Sequence, residues 1–230
     1  MKIEAIKSFQ DNYIWIISNK NHAVVVDPGD AEPVINFIQD KQIFLDSILV
    51  THHHHDHTGG VLDLVSKYYC DVYAPIGSNF KIQFFPIKEG DQISLLDNNL
   101  ILNVIETPGH TLDHIVYFNN RIIFVGDTLF HYGCGRVFEG SNEMLFNSLT
   151  KIKQLDKKAN VYCAHEYTKN NLQFLAKQFP NNSHFKEKLN EVNKIDITIP
   201  FCLDNEIKLN PFLTNNLSDF INLRNAKNQF

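Results

Sequence analysis

No run of 18 apolar residues occurs anywhere in the 230-residue chain, which excludes a conventional membrane-spanning helix. The opening Met1-Lys2-Ile3-Glu4-Ala5 carries no apolar signal region and leads into a mixed polar and apolar strand, so the expected setting is cytoplasmic. Cysteine is scarce. Cys70, Cys134, Cys163 and Cys202 include no Cys-x-x-Cys pair, which argues against a disulfide framework or a thiolate metal site. Positive charge is also short: 21 Lys and Arg against 26 Asp and Glu give a formal net charge of −5. That balance disfavours nucleic acid or an anionic membrane as a general partner, while a few local cations can still hold a small anion. No internal repeat is visible.

What remains is an ordinary globular composition, 43% hydrophobic and 20% charged, in a chain long enough for one large domain and a small annex. Short β-type runs dominate the first two thirds. Ile14-Trp15-Ile16-Ile17 and Ala23-Val24-Val25-Val26 read as strands, the second stopped by Asp27-Pro28-Gly29. Asp30 caps a helix with Val34, Ile35 and Ile38 inward, and Ile48-Leu49-Val50 is a buried strand. Val61, Leu62, Leu64, Val65 and Tyr68 make an amphipathic helix behind Gly59-Gly60. Further strands are expected over 100–105, 115–118, 122–125 and 161–164.

Beyond residue 167 the pattern turns helical, through Leu172, Leu175, Ala176 and Phe179, then Phe185, Leu189, Val192 and Ile195. A polar, loop-like tail is expected from Asn210-Pro211 to Lys227. This divides the chain into a β-rich domain over 1–167 and a helical one over 168–230.

The chemistry gathers where strands end. Thr51-His52-His53-His54-His55-Asp56-His57 follows Ile48-Leu49-Val50, and His110 follows Thr107-Pro108-Gly109. Asp127 and His165 each follow a predicted strand. Loops at one edge of a rigid sheet are where such folds collect functional groups. His52 and His54 share a side of an extended stretch, and Asp56 and His57 turn toward a neighbouring position. Imidazole and carboxylate donors without thiolate suit zinc, iron or manganese. An accidental polyhistidine stretch would need neither a buried strand before it nor an aspartate at this offset. His53 and His55 are expected to point away, His114 to support rather than bind, and His22, His131 and His184 to lie outside the site.

The Thr-His-x-His-x-Asp-His run followed by a lone His, a lone Asp and another lone His resembles the metallo-β-lactamase superfamily. The resemblance implies an α/β fold, an αββα sandwich with a small C-terminal helical domain. It implies one metal held by His52, His54 and His110 and another by Asp56, His57 and His165, with Asp127 bridging. Two divalent ions per chain follow, zinc first, with iron or manganese as alternatives. Such ions about 3.5–4 Å apart share a water and lower its pKa toward neutrality. Asp56 and Asp127 are the candidate catalytic carboxylates.

Five further stretches narrow the resemblance to glyoxalase II: Ser8-Phe9-Gln10-Asp11-Asn12-Tyr13, Gly126-Asp127-Thr128-Leu129-Phe130 with Gly133-Cys134-Gly135-Arg136, His165-Glu166-Tyr167, Asn210-Pro211-Phe212-Leu213, and Arg224-x-x-Lys227-x-Gln229-Phe230. They occur in family order over essentially the whole chain. They imply a thioesterase, hydroxyacylglutathione hydrolase, acting on the small molecule S-D-lactoylglutathione to give glutathione and D-lactate by a metal-bridged hydroxide; a monomer is expected. This is the second step of methylglyoxal detoxification. Arg224 and Lys227 would hold the glycine carboxylate of glutathione, Tyr167 its peptide, and Arg136 a further contact. The chain departs from the family pattern at Arg136, where lysine is common, at Phe138, where tyrosine is, and at Thr214, where arginine is frequent. Phe138 therefore offers no hydroxyl. A persulfide dioxygenase shares the fold and carrier but uses one iron and oxygen, and a non-catalytic binding module would lack some of the seven donors.

Overall fold

A computed structural model describes residues 1–78 and 80–230. The first sheet holds six strands in chain order: β1 (Lys2–Ser8), β2 (Asn12–Ser18), β3 (His22–Val26), β4 (Phe44–Leu49), β5 (Asp71–Pro75) and β6 (Phe85–Ile87). Its first three strands pair antiparallel and β3 to β6 pair parallel. Parallel neighbours need a crossover. Helix α1 (Ala31–Lys41) provides it between β3 and β4; the single turn α2 (His55–Thr58) and α3 (Val61–Tyr68) provide it between β4 and β5.

The second sheet contains β7 (Gln92–Leu95), β8 (Leu100–Glu106), β9 (Ile115–Phe118) and β10 (Ile122–Gly126). After a small hairpin of β11 (Leu129–Phe130) and β12 (Gly133–Cys134), helix α4 (Asn142–Lys153) leads to β13 (Asn160–Cys163). Then come α5 (Thr168–Gln178), α6 (Ser183–Val192), β14 (Phe201–Cys202), α7 (Leu203–Leu209), a 3-10 turn at Pro211–Leu213 and α8 (Leu217–Asn228). The strand order is β14-β13-β10-β9-β8-β7.

Alternation along β2 explains the layering. Tyr13, Trp15 and Ile17 enter the core between the sheets, while Ile14 and Ile16 join a second core closed by Val34 and Ile38 of α1 and Leu64 of α3. On the far side Leu145 and Leu149 of α4 and Leu172 and Leu175 of α5 extend the first core, giving helix, sheet, sheet, helix. That core runs on into Phe212, Phe220 and Leu223. No helix among the described residues is long and apolar enough to cross a membrane.

Two expectations fail in the last 40 residues. The helix after Ser183 stops at Val192, short of Ile195, and the tail from Asn210, expected to be loop-like, is a 3-10 turn followed by α8. The buried face of α8 is Phe220, Leu223 and Arg224, so an arginine interrupts the apolar pattern that marks a helix. Asn216 caps it by accepting from the Asp219 amide at 3.1 Å.

The topology places one rim of both sheets together. Parallel β3 and β4 end there, antiparallel β2 begins there, and parallel β10 and β13 end there. Ile115 N donates to Thr51 O at 2.9 Å, and Tyr13 N donates to Ala164 O at 2.7 Å, joining the sheets along this rim.

Candidate metal centre

All seven predicted donors converge on that rim. His52 and His57 are fully buried, His110, Asp127 and His165 nearly so, while His54 and Asp56 are half-buried. Donor atoms of His52, His54 and His110 lie within 4.8 Å of one another, as do those of Asp56, His57 and His165. Asp127 faces both groups. Its Oδ2 is 3.4 Å from His110 Nε2 and 3.3 Å from His165 Nε2, and its Oδ1 is 3.5 Å from His57 Nε2.

Buried polar atoms normally have partners. Here His52 Nε2 and Asp127 Oδ1 are buried with no hydrogen bond. Two such orphans pointing into a ring of imidazoles and carboxylates fit a cation better than any protein group. The electrostatics agree. Burial drives His52 well below its ordinary pKa, and also lowers His54 and His110, keeping them neutral and able to donate a lone pair. Burial opposes charge on His57 too, but Asp127 and Asp27 outweigh it and push the ring up to about 10. His165 is raised in the same way by Asp127 and Asp11. Despite burial, the carboxyls of Asp56 and Asp127 are held well below the usual range by these rings. The rim thus gathers ionised carboxylates among imidazoles, a donor set able to hold metal cations.

Outer contacts fix four of the five donor rings. Thr51 Oγ1 lies 3.1 Å from His52 Nδ1, and Asp27 Oδ2 lies 3.0 Å from His57 Nδ1. His110 Nδ1 donates to Arg136 O at 2.8 Å, and His165 Nδ1 donates to Asp11 Oδ1 at 2.8 Å. Such partners set the tautomer and direct the other nitrogen inward. His114 supports from below: its Nε2 accepts from Asp127 N at 3.1 Å, and its ring stacks on His52. Gly126 has φ 48°, and a Cβ there would lie 2.5 Å from Thr51 Oγ1 and 2.7 Å from His114 Nε2. Only glycine lets the chain turn Asp127 inward so close to that layer.

The spare histidines fall outside the donor set. His53 is exposed and pairs with Asp113 and Glu139, and His55 is exposed on α2. His131 donates to the buried carboxylate of Glu206 at 2.6 Å. His184 meets Tyr132 Oη, and His22 pairs with Asp46. Sequence reasoning missed Asp27, reading it only as the end of a strand, and missed the side-chain contacts of Asp11 and Asn12.

A cavity of about 560 Å³ opens beside the cluster, lined by Asp11, Arg136, Tyr167, Arg224 and Lys227 among others. Thus the four expected substrate contacts share one space. Tyr167 stacks on His165 with centroids 4.6 Å apart and planes 6° from parallel, linking cavity to centre. Arg224 is buried, and its Nη1 donates to Cys134 O at 2.9 Å and Gly135 O at 3.3 Å, while its Nε has no partner. Lys227 lies one turn along α8, with its Nζ on Asn170, and burial together with Arg224 pushes it down to about 8. Phe138 is exposed and turns its ring edge-on to His54 and His110, 5.4 and 5.2 Å away, with no hydroxyl to offer.

Fold and site define a metal-dependent class. Residues 9–165 match the Metallo-beta-lactamase superfamily. Residues 166–230 match the family described as Hydroxyacylglutathione hydrolase C-terminus. The chain is 44% identical to the hydroxyacylglutathione hydrolase of Pseudoalteromonas translucida, over 97% of this chain and 89% of that one. It is 44% identical to that of Psychromonas ingrahamii, over 90% and 84%. Among solved structures, ETHE1 from Myxococcus xanthus superposes with a TM-score of 0.75 at 23% identity, covering 98% of this chain and 90% of that one; this likeness speaks for the fold alone. The chain belongs to the hydroxyacylglutathione hydrolase family within the metallo-β-lactamase superfamily.

Proposed function

We propose that this protein hydrolyses S-D-lactoylglutathione to glutathione and D-lactate. His52, His54 and His110 would hold one divalent ion, Asp56, His57 and His165 a second, and Asp127 would touch both. The observation that carries the reading is the junction of Asp127, facing both donor groups, with a cavity lined by Arg136, Lys169, Arg224 and Lys227 on an acidic chain. Zinc is the first choice, with iron and manganese compatible with the same donors.

When bound, two divalent ions supply Lewis acidity, acidifying water and polarising a carbonyl. The protein's own groups do the rest. Arg224 and Lys227 hold the terminal carboxylate of the glutathione moiety, and Arg136 and Tyr167 flank its peptide. Tyr167, stacked on His165, sets the thioester against the centre. Asp56, with its side chain 39% exposed, is placed to accept a proton from the attacking water. We divide the chain at residue 167 into a catalytic part and a substrate-binding part. The four free cysteines agree with a cytoplasmic setting.

Asp127→Ala tests the assignment. The variant is expected to lose hydrolysis and to retain fewer than two ions per chain by elemental analysis. Full activity with two ions retained would refute it.

A further inference from the structure

The outer partners described above steady histidines and, through His114, the backbone of Asp127, while Asp56 stands on the one-turn helix α2 with its side chain partly exposed. Among the described residues, the donor it finds outside the cluster is Asn12, whose Nδ2 donates to Asp56 Oδ2 at 2.9 Å. Asn12 is only 7% exposed, an unusual burial for a free amide unless its contact matters. Its neighbour Asp11 accepts from His165 Nδ1 at 2.8 Å. Asp11, last residue of the β1–β2 turn, and Asn12, first residue of β2, thus hold two of the three donors of one group.

The turn is itself pinned. Asn12 bridges to His165, Tyr13 N donates to Ala164 O at 2.7 Å, and Glu166 N donates to Asp11 O at 2.9 Å. Movement of the turn would carry Asp56 and His165 together, while in the other group His52 is held by Thr51 and His110 by Arg136.

We infer that Asn12 is a positioning residue for the second metal position: its amide fixes the Asp56 carboxylate while Asp11 fixes His165, so the β1–β2 turn sets cation affinity there. The amide cannot ionise and adds no charge beside Asp56. It occupies one lone pair and stops the carboxylate from rotating out toward solvent. The inference rests on the two-metal reading above.

Metal-stripped wild type, Asn12→Ala and Asn12→Leu are titrated with cobalt(II), following visible absorption and competition with a chelator. Wild type is expected to bind two ions in two steps. Asn12→Ala is expected to weaken one step by about 10- to 100-fold, leaving the other within a few-fold. Leucine matches the shape of asparagine without its donor, so Asn12→Leu is expected to behave like alanine. Two steps of wild-type affinity in Asn12→Ala would overturn the inference, as would rescue by leucine, which marks a space-filling role. Circular dichroism of the metal-free variants checks folding, and Asn12→Ser replaces any variant that fails, with the same expected loss. Fewer than two ions in wild type would overturn the two-metal reading instead.

Discussion

Replacing Asp27 by asparagine removes a charge without changing the side chain's size. Asp27 has φ 53°, a left-handed conformation that asparagine tolerates better than most residues, so the backbone is spared. Its Oδ1 accepts from Thr51 N at 2.8 Å, and its Oδ2 accepts from Thr51 Oγ1 at 2.7 Å and faces His57 Nδ1 at 3.0 Å. The Thr51 amide demands an acceptor, so the variant keeps its carbonyl there and turns its NH₂ toward Thr51 Oγ1 and His57. An NH₂ cannot accept from Nδ1, so when the ring gives up a proton to become metal-competent it keeps the remaining one on Nε2, the nitrogen aimed at Asp56 and Asp127. A protonated Nε2 has no lone pair for a metal.

The loss is the ionic contact of Asp27 with His57 Nδ1 at 3.0 Å, comparable to a charge-assisted hydrogen bond, about 1.5–3 kcal/mol. At about 1.4 kcal/mol per factor of ten, this is roughly 10- to 150-fold weaker binding at the position His57 serves. The assay is competition of zinc between a chelating dye and the metal-stripped protein, with wild type and Asp27→Asn compared and both steps resolved. One affinity is expected to fall by that amount, with the other nearly unchanged and hydrolysis reduced. A folded Asp27→Asn with both affinities unchanged would refute the tautomer argument.

Other consequences concern the cavity and the hairpin beside it. On the proposed function, in which Arg224 holds a non-reacting end of the substrate, Arg224→Ala is expected to raise KM for the glutathione thioester at least 10-fold with kcat within a few-fold; a large fall in kcat at constant KM contradicts this. Lys227, depressed to about 8, is charged below that pH and neutral above it. KM should therefore climb as pH rises through about 8, and Lys227→Arg, charged throughout, should abolish the climb. A wild-type KM flat between about pH 7 and 9.5 would refute it. Glu206 is 1% exposed and accepts from Tyr132 N and His131 Nδ1, both at 2.6 Å. Glu206→Ala leaves the buried Tyr132 amide and the partly buried His131 ring unmet and should cost about 3 kcal/mol, roughly 6–12 °C in Tm for a chain of this size. An unchanged melting curve would count against the clamp.

The donor histidines and aspartates were legible because each follows a short apolar run, and those runs are strands that end on one rim. The helix α4 carried a signal that went unread: Ser141 caps it, and Leu145, Leu149 and Ile152 keep helical spacing. The roles of Asp27 and Asn12 had no local signal. Asp27 sits in a strand-ending Asp-Pro-Gly, and only the parallel pairing of β3 with β4 brings it beside Thr51 and His57. Asn12 meets Asp56 only because β2 starts where β13 ends. Such contacts belong to strand order, which periodicity does not reveal. Arg224 and Lys227 were named through family resemblance, while the helix that presents them was hidden by its buried cation.

The most direct test is an anaerobic assay of the purified protein with S-D-lactoylglutathione, following loss of the thioester while metal content is measured on the same sample. Turnover without oxygen, scaling with occupancy up to about two ions per chain, is the predicted result. Two bound ions with no loss of the thioester, or equal turnover by metal-stripped protein, would contradict the account.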